Sequence, residues 1–219
     1  NNIEFSAAGT GAATLTLGDA TGTADVVNVN LKASAIITQA ITAPNVETVN
    51  YVGNDAAAAN VSAINVSTLV ATKATTVNVS GNDGLTLTST SATKITTFDA
   101  SGVVANDSSD TTANMAVTYT SANTSTTAAV SITGGAGNDT LEGNASVDTI
   151  NGGAGDDIIT ATAGNDVVAG GAGADTVTFS DTLFDGNSAT TATHTGGAGT
   201  DTLDLAATAS IVDADFVRI

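Results

Sequence analysis

The sequence predicts an all-β protein: a parallel β-roll or β-solenoid turned by nonapeptide repeats, preceded by an irregular β-solenoid or stack of β-sheets. Two observations carry this expectation. From Gly134 the chain can be cut every nine residues into GGAGNDTLE, GNASVDTIN, GGAGDDIIT, ATAGNDVVA and GGAGADTVT, and a sixth copy, GGAGTDTLD, begins at Gly196. Before residue 134, short runs alternate Val, Ile, Leu or Thr with polar residues and break at Gly-Asp or Gly-Asn-Asp, the pattern of half-buried strands.

In the repeats the sixth position is always Asp: Asp139, Asp148, Asp157, Asp166, Asp175 and Asp201. The eighth is always aliphatic: Leu141, Ile150, Ile159, Val168, Val177 and Leu203. The fourth is Gly except at Ser146. Glycine permits tight backbone conformations that a Cβ resists, so six residues make a turn and three make a strand. Two nonapeptides then close one coil, and stacked coils bring equivalent strands to about 4.8 Å. Asp139, Asp157 and Asp175 fall in one column on one edge, Asp148 and Asp166 in a column on the other. Carboxylates at that spacing repel by roughly 0.8 kcal/mol even in water. A hard cation between them reverses the sign, and calcium, with 6–8 oxygen ligands in flexible geometry, suits such turns better than magnesium. Asp and Gly are also ordinary turn residues. The few aliphatic side chains of the roll cannot offset the backbone entropy of ordering it, so the segment is expected to fold only on binding calcium.

This G-G-x-G-x-D-x-U-x pattern resembles the calcium-binding nonapeptide of repeats-in-toxin (RTX) proteins. The resemblance implies ions between turns one coil apart, with carbonyls from positions two and four of one turn, from one and three of the next, and both aspartates. One site would then use Gly135, Gly137 and Asp139 with Gly152, Ala154 and Asp157; the next Gly153, Gly155 and Asp157 with Gly170, Ala172 and Asp175. The opposite edge would use Asn144, Ser146 and Asp148 with Ala161, Ala163 and Asp166, where Asn144, Ser146, Ala161 and Thr162 replace glycines. Seventeen residues, 179–195, separate copies five and six. If they form one row with an outward loop, Asp201 stacks on Asp175 and Gly171, Gly173, Gly196 and Ala198 complete a further site. Three to four calcium ions are expected in the repeats.

The strand-like runs before the repeats are 14–17, 27–31, 49–52, 64–66, 77–79, 85–87 and 130–132. The Ala-rich stretches 33–41 and 55–64 are read as loop or strand. The V/I-N-V/Y units are spaced too unevenly for a strict repeat, and Val130-Ser131-Ile132 sits in the register of a copy that lacks Asp. Two regions follow: 1–133, strand-rich and solenoid-like, and 134–219, the roll with its insertion. Asp19, Asp55, Asp83, Asp99 and Asp107 are read as solvated turn residues, with further calcium as the alternative.

Composition narrows the function. Net charge is −18, with −6 up to residue 133 and −12 beyond it. That balance argues against nucleic acid and anionic membranes as partners. The absence of cysteine removes disulfides and thiolate metal sites, and a single histidine leaves zinc chemistry little to work with. No run approaches a membrane span. No H-E-x-x-H or G-x-S-x-G occurs, and His194 is read as a solvated loop residue, so no enzyme is expected. Thr-x-Thr pairs at 14–16, 86–88, 118–120, 124–126, 176–178 and 191–193 keep no single interval, which argues against a flat ice-binding face.

The segments 20–28, 46–50, 81–88, 95–101 and 121–124, in that order ahead of the repeats, resemble RTX-type surface-layer (S-layer) proteins of Gram-negative bacteria. That resemblance implies type I secretion, an extracellular cell-surface location and calcium-dependent assembly with copies of itself into a two-dimensional lattice. Anchoring to cell-surface polysaccharide would use parts outside this chain, which is expected to be a fragment. The alternative is an RTX adhesin module for calcium-dependent attachment.

Overall fold

The structure is a computed structural model that describes residues 1–6, 9–15, 22–32, 36–54, 64–106, 110–179 and 193–205. Eighteen strands follow one another without a helix among the described residues: β1 (Asn2–Phe5), β2 (Gly9–Thr14), β3 (Val26–Leu31), β4 (Ile37–Thr42), β5 (Thr48–Gly53) and β6 (Asn65–Val70). Then come β7 (Thr76–Gly81), β8 (Leu85–Ser89), β9 (Thr97–Val103), β10 (Val117–Thr120), β11 (Ser131–Thr133) and β12 (Thr140–Glu142). The last are β13 (Thr149–Ala154), β14 (Ile158–Ala161), β15 (Val167–Ala172), β16 (Thr176–Phe179), β17 (Thr193–Ala198) and β18 (Thr202–Leu205).

Odd strands form one nine-stranded sheet and even strands another, each in sequence order and paired in parallel. The chain is therefore a flattened β-solenoid, one strand per sheet in every coil. Pairing runs without interruption across residue 134: β9, β11 and β13 are neighbours in one sheet, β10, β12 and β14 in the other.

The alternation read in the sequence sets the faces. In β3, Val27, Val29 and Leu31 are buried between the sheets while Asn28 and Asn30 face outward. One core runs from Val27 to Phe179. Its bulkiest members, Tyr51, Phe98 and Tyr119, stand before the repeats, and Phe98 stacks on Tyr119 at 4.0 Å. In the repeats the core narrows to Leu141, Ile150, Ile159, Val168, Val177 and Phe179.

Several expectations change. The run 14–17 is not itself a strand: β2 ends at Thr14, and Thr16 and Leu17 lie outside the described residues. Of the Ala-rich stretches, 37–42 is a strand and 55–63 lies outside the described residues. The uneven V/I-N-V/Y spacing has a simple cause. Val27, Val49 and Val77 stack in the odd sheet, whereas Asn65 and Val66 belong to the even one. Coils before the repeats also differ in length, as cross-coil bonds spanning 22, 28 and 21 residues record, because their turns differ. Asn2, Asn28, Asn50 and Asn78 thus form an amide ladder, each rung 2.8 Å from the next. Two of the Thr-x-Thr pairs, 86–88 and 118–120, land on adjacent rungs of the even sheet, with 176–178 three rungs on. Register, not sequence interval, sets their stacking; Ile158 interrupts one column, and Glu142 and Asp204 bring charge into the other.

Candidate metal centre

Each coil has two edges, and at each edge one position stands at the entrance to the next strand. Leading into the even strands, this slot holds Ile37, Asn65, Leu85, Val117, Asp139, Asp157, Asp175 and Asp201 in turn. Leading into the odd strands it holds Asp25, Glu47, Thr75, Thr96, Val130, Asp148 and Asp166. The aspartates of the repeats therefore stack in the two columns that the nine-residue period requires. Asp201 continues the first column: its Oδ1 accepts the Asp175 N–H at 3.2 Å across a 26-residue coil, with residues 180–192 outside the described set.

A carboxylate suits this slot because the entering strand has backbone N–H groups with no carbonyl opposite. Oδ1 of Asp139 accepts from Val117 N (2.7 Å), Asp157 from Asp139 N (2.8 Å) and Asp175 from Asp157 N (2.9 Å). On the other edge Asp148 accepts from Val130 N and Asp166 from Asp148 N, both at 2.9 Å. Val130 thus fills the Asp slot of a copy without Asp.

The second oxygens divide the aspartates. Oδ2 of Asp139 and of Asp148 caps its own turn, accepting from Gly135 N and Asn144 N at 2.6 Å. Oδ2 of Asp157, Asp166 and Asp175 is buried and accepts no hydrogen bond. An orphaned carboxylate oxygen in the interior is unfavourable unless something positive meets it. Burial pushes the Asp157 carboxyl up to about 7, helped by the charges of Asp139, Asp175 and Asp156. Burial likewise raises Asp139 and Asp166 to about 6, and raises Asp148 and Asp175.

Backbone oxygens converge on the same gaps. A Cβ on Gly171 would lie 2.0 Å from the Gly153 carbonyl oxygen, and one on Gly173 2.1 Å from that of Gly155, so carbonyls two and four point to the next turn. Carbonyls of Gly135 and Gly137 point likewise at Gly153 and Gly155, and those of Gly171 and Gly173 at Gly197 and Gly199. Carbonyl one points back: Gly152 O lies over Gly134, Gly170 O over Gly152 and Gly196 O over Gly170. Carbonyl three does the same, since Ala172 O accepts from Gly155 N and Ala198 O from Gly173 N. Glycine is needed at position 152 because a Cβ there would sit 2.2 Å from Asp157 Oδ2.

The turns are not equivalent. Those at 152–157, 170–175 and 196–201 carry positive φ at positions two and four, from 111° at Gly153 to 146° at Gly199. Gly135 and Gly137 do not, and no residue other than Gly has positive φ among the described residues, which leaves Asn144, Ser146, Ala161 and Ala163 in ordinary conformations. Among the described residues no three Asp, Glu or His side chains gather at one point. The donor set is therefore two carboxylates per gap plus carbonyls, all oxygen, which suits a hard cation of flexible coordination.

The sequence reading missed other members of this system. Asn138 Oδ1 accepts Asp156 N and Asp156 Oδ1 accepts Ala174 N, an outer ladder whose signal is Asn or Asp at position five. Asn65 and Glu47 fill the slot before the repeats, accepting from Ile37 N at 3.1 Å and Asp25 N at 3.0 Å. Asp83 is buried rather than solvated, packed by its Cβ against Gly53, and Asp99 lies in β9 rather than in a turn. Asp19, Asp55 and Asp107 lie outside the described residues. His194 is not a loop residue either. It takes the aliphatic position of β17 opposite Val168, meets Phe179 edge-on at 4.0 Å, and burial lowers its pKa to about 4.

No curated protein matches the chain. Residues 131–159 and 142–177 match the family described as the RTX calcium-binding nonapeptide repeat, four copies to a match. The parallel roll from Ser131 to Val177 is thus a run of RTX calcium-binding nonapeptide repeats, a repeat that in general binds calcium.

Proposed function

We propose that the chain is a calcium-stiffened structural part of a protein working outside the cell, a subunit of a surface layer built from many copies. The observation that carries the calcium reading is the set of buried, unpartnered Oδ2 atoms on Asp157, Asp166 and Asp175, each in a column of carboxylates. On this reading one edge takes three ions, in the gaps Asp139–Asp157, Asp157–Asp175 and Asp175–Asp201, and the other edge takes one, between Asp148 and Asp166. Bound calcium supplies the positive charge that these oxygens lack. The chain's own part is to hold carbonyls two and four of one turn against carbonyls one and three of the next.

Four ions reduce the net charge from −18 to −10, which lets like-charged copies approach. Extracellular modules work at calcium affinities of about 10⁻⁴–10⁻³ M, so export would trigger folding. A structural role agrees with the packing of His194 against Phe179. No helix of the described residues is long and apolar enough to cross a membrane. Electron microscopy of the full-length protein tests the layer: ordered sheets are expected with calcium and dispersed protein with chelator. Absence of any calcium-dependent polymer overturns the layer, and calcium-dependent attachment to cells by unpolymerised protein favours the adhesin.

A further inference from the structure

We propose that the two edges of the roll take calcium in two steps, with Thr162 holding the Asp148–Asp166 edge back until calcium is high. The inference rests on the calcium reading above. On the Asp139–Asp201 edge, the second carbonyl of a turn always faces a bare glycine of the next: Gly135 faces Gly153, Gly153 faces Gly171 and Gly171 faces Gly197. On the other edge the equivalent carbonyl, Asn144 O, faces Thr162, whose Oγ1 donates a hydrogen bond to it. A hydroxyl therefore stands on an oxygen that would ligate the ion.

Two further features set this edge apart. The glycines that receive these carbonyls, Gly153, Gly171 and Gly197, adopt φ of 111° to 124°, which Thr162 does not share, and Asn144 is pinned by its own amide, to Ala128 O at 2.9 Å and from Ser146 N at 2.8 Å. Position one of the fourth copy is Ala161. In the neighbouring copies a methyl there would lie 2.2–2.4 Å from the Asp carboxylate, so the Asp166 carboxylate cannot take the same pose.

The site is nonetheless built. Asp166 is fully buried with Oδ2 unpartnered, and the Ser146 carbonyl points at Gly164 just as that of Gly155 points at Gly173. An ion can enter once the Thr162 hydroxyl swings off Asn144 O. That extra step makes this the weaker site.

Calorimetric calcium titration of the full chain, paired with hydrogen exchange, tests this. The wild type should show a tight class and one weaker ion, with protection at 143–148 and 161–166 appearing at higher calcium than at 152–157 and 170–175. Thr162→Gly should tighten the weaker class about tenfold by removing one competing hydrogen bond. Asp166→Asn should remove the weaker class and leave the tight one. A single class in the wild type, an unchanged weak class in Thr162→Gly, or loss of the tight class in Asp166→Asn overturns the proposal. A wild type that takes up no calcium overturns instead the calcium reading beneath it.

Discussion

The coils before residue 131 and those after it have one architecture and opposite fillings. In the slot leading into the even strands the first group places Ile37, Leu85 and Val117, all buried, and one amide, Asn65; the second places Asp139, Asp157, Asp175 and Asp201. The first group packs Tyr51, Phe98 and Tyr119 between its sheets, the second little beyond one aliphatic per strand. Hydrophobic burial is worth about 1.5–3 kcal/mol per large side chain, so the first group is expected to depend less on metal than the second. The second has put buried carboxylates where the first has hydrocarbon. On the calcium reading proposed above, the solenoid divides into a part that folds by itself and a part that folds by ion, without breaking a sheet. The junction is direct, because Val117 N and Val130 N are already aimed at Asp139 and Asp148.

The largest effect expected from this difference is on calcium removal. In chelator, amide protection should vanish from 134–204 and persist from 26 to 120, which hydrogen exchange with mass spectrometry resolves. Uniform loss or uniform retention would break the comparison. Next in size is Asp157→Asn. Asp157 borders two of the proposed gaps, so it should cost two ions where Asp148→Asn costs one, as calcium titration reads. Phe98→Ala acts on the other region, opening a cavity beside Tyr119 and costing about 3–5 kcal/mol in a melt that chelator leaves unaffected.

Acidity separates the regions more gently. Without metal the Asp139, Asp157 and Asp166 carboxyls titrate near 6, 7 and 6 in the roll against 3.8 when exposed. The folded roll therefore binds more protons than the unfolded chain between about pH 4 and 7. Its metal-free stability should be full below pH 4 and fade as pH rises through 7. Calcium needs the ionised forms, so its affinity should climb over the same window. Circular dichroism and calcium titration at pH 5, 6 and 7 should show these opposite trends in the roll.

What the sequence disclosed follows the same division. In the repeats the coil is a constant 18 residues, so Asp139, Asp157 and Asp175 announce their column by arithmetic. Before them the step changes at every turn, and nothing in the spacing says that Asn65 stands over Ile37 or that Glu47 stands over Asp25. Alternation made β3, β5, β6, β7, β8 and β11 legible there, but not β1, β2, β9 or β10, and not which sheet each strand joins. His194 misled for a related reason: a lone polar residue beside an insertion reads as loop, although the register set by Gly197 on Gly171 carries it into the core position.

The amide ladder gives the smallest and most local test. Asn50 bonds Asn28 on one side and Asn78 on the other, both at 2.8 Å on a half-buried face. Asn50→Ala removes two bonds but leaves both neighbours near solvent, which can replace part of what is lost, so the cost should be about 1–2 kcal/mol. That loss should appear in the calcium-independent transition and leave calcium affinity unchanged. A shift of the calcium-dependent transition instead would mean that the coils before the repeats limit the folding of the roll, and that the two regions are one cooperative unit rather than a scaffold and its metal-driven extension.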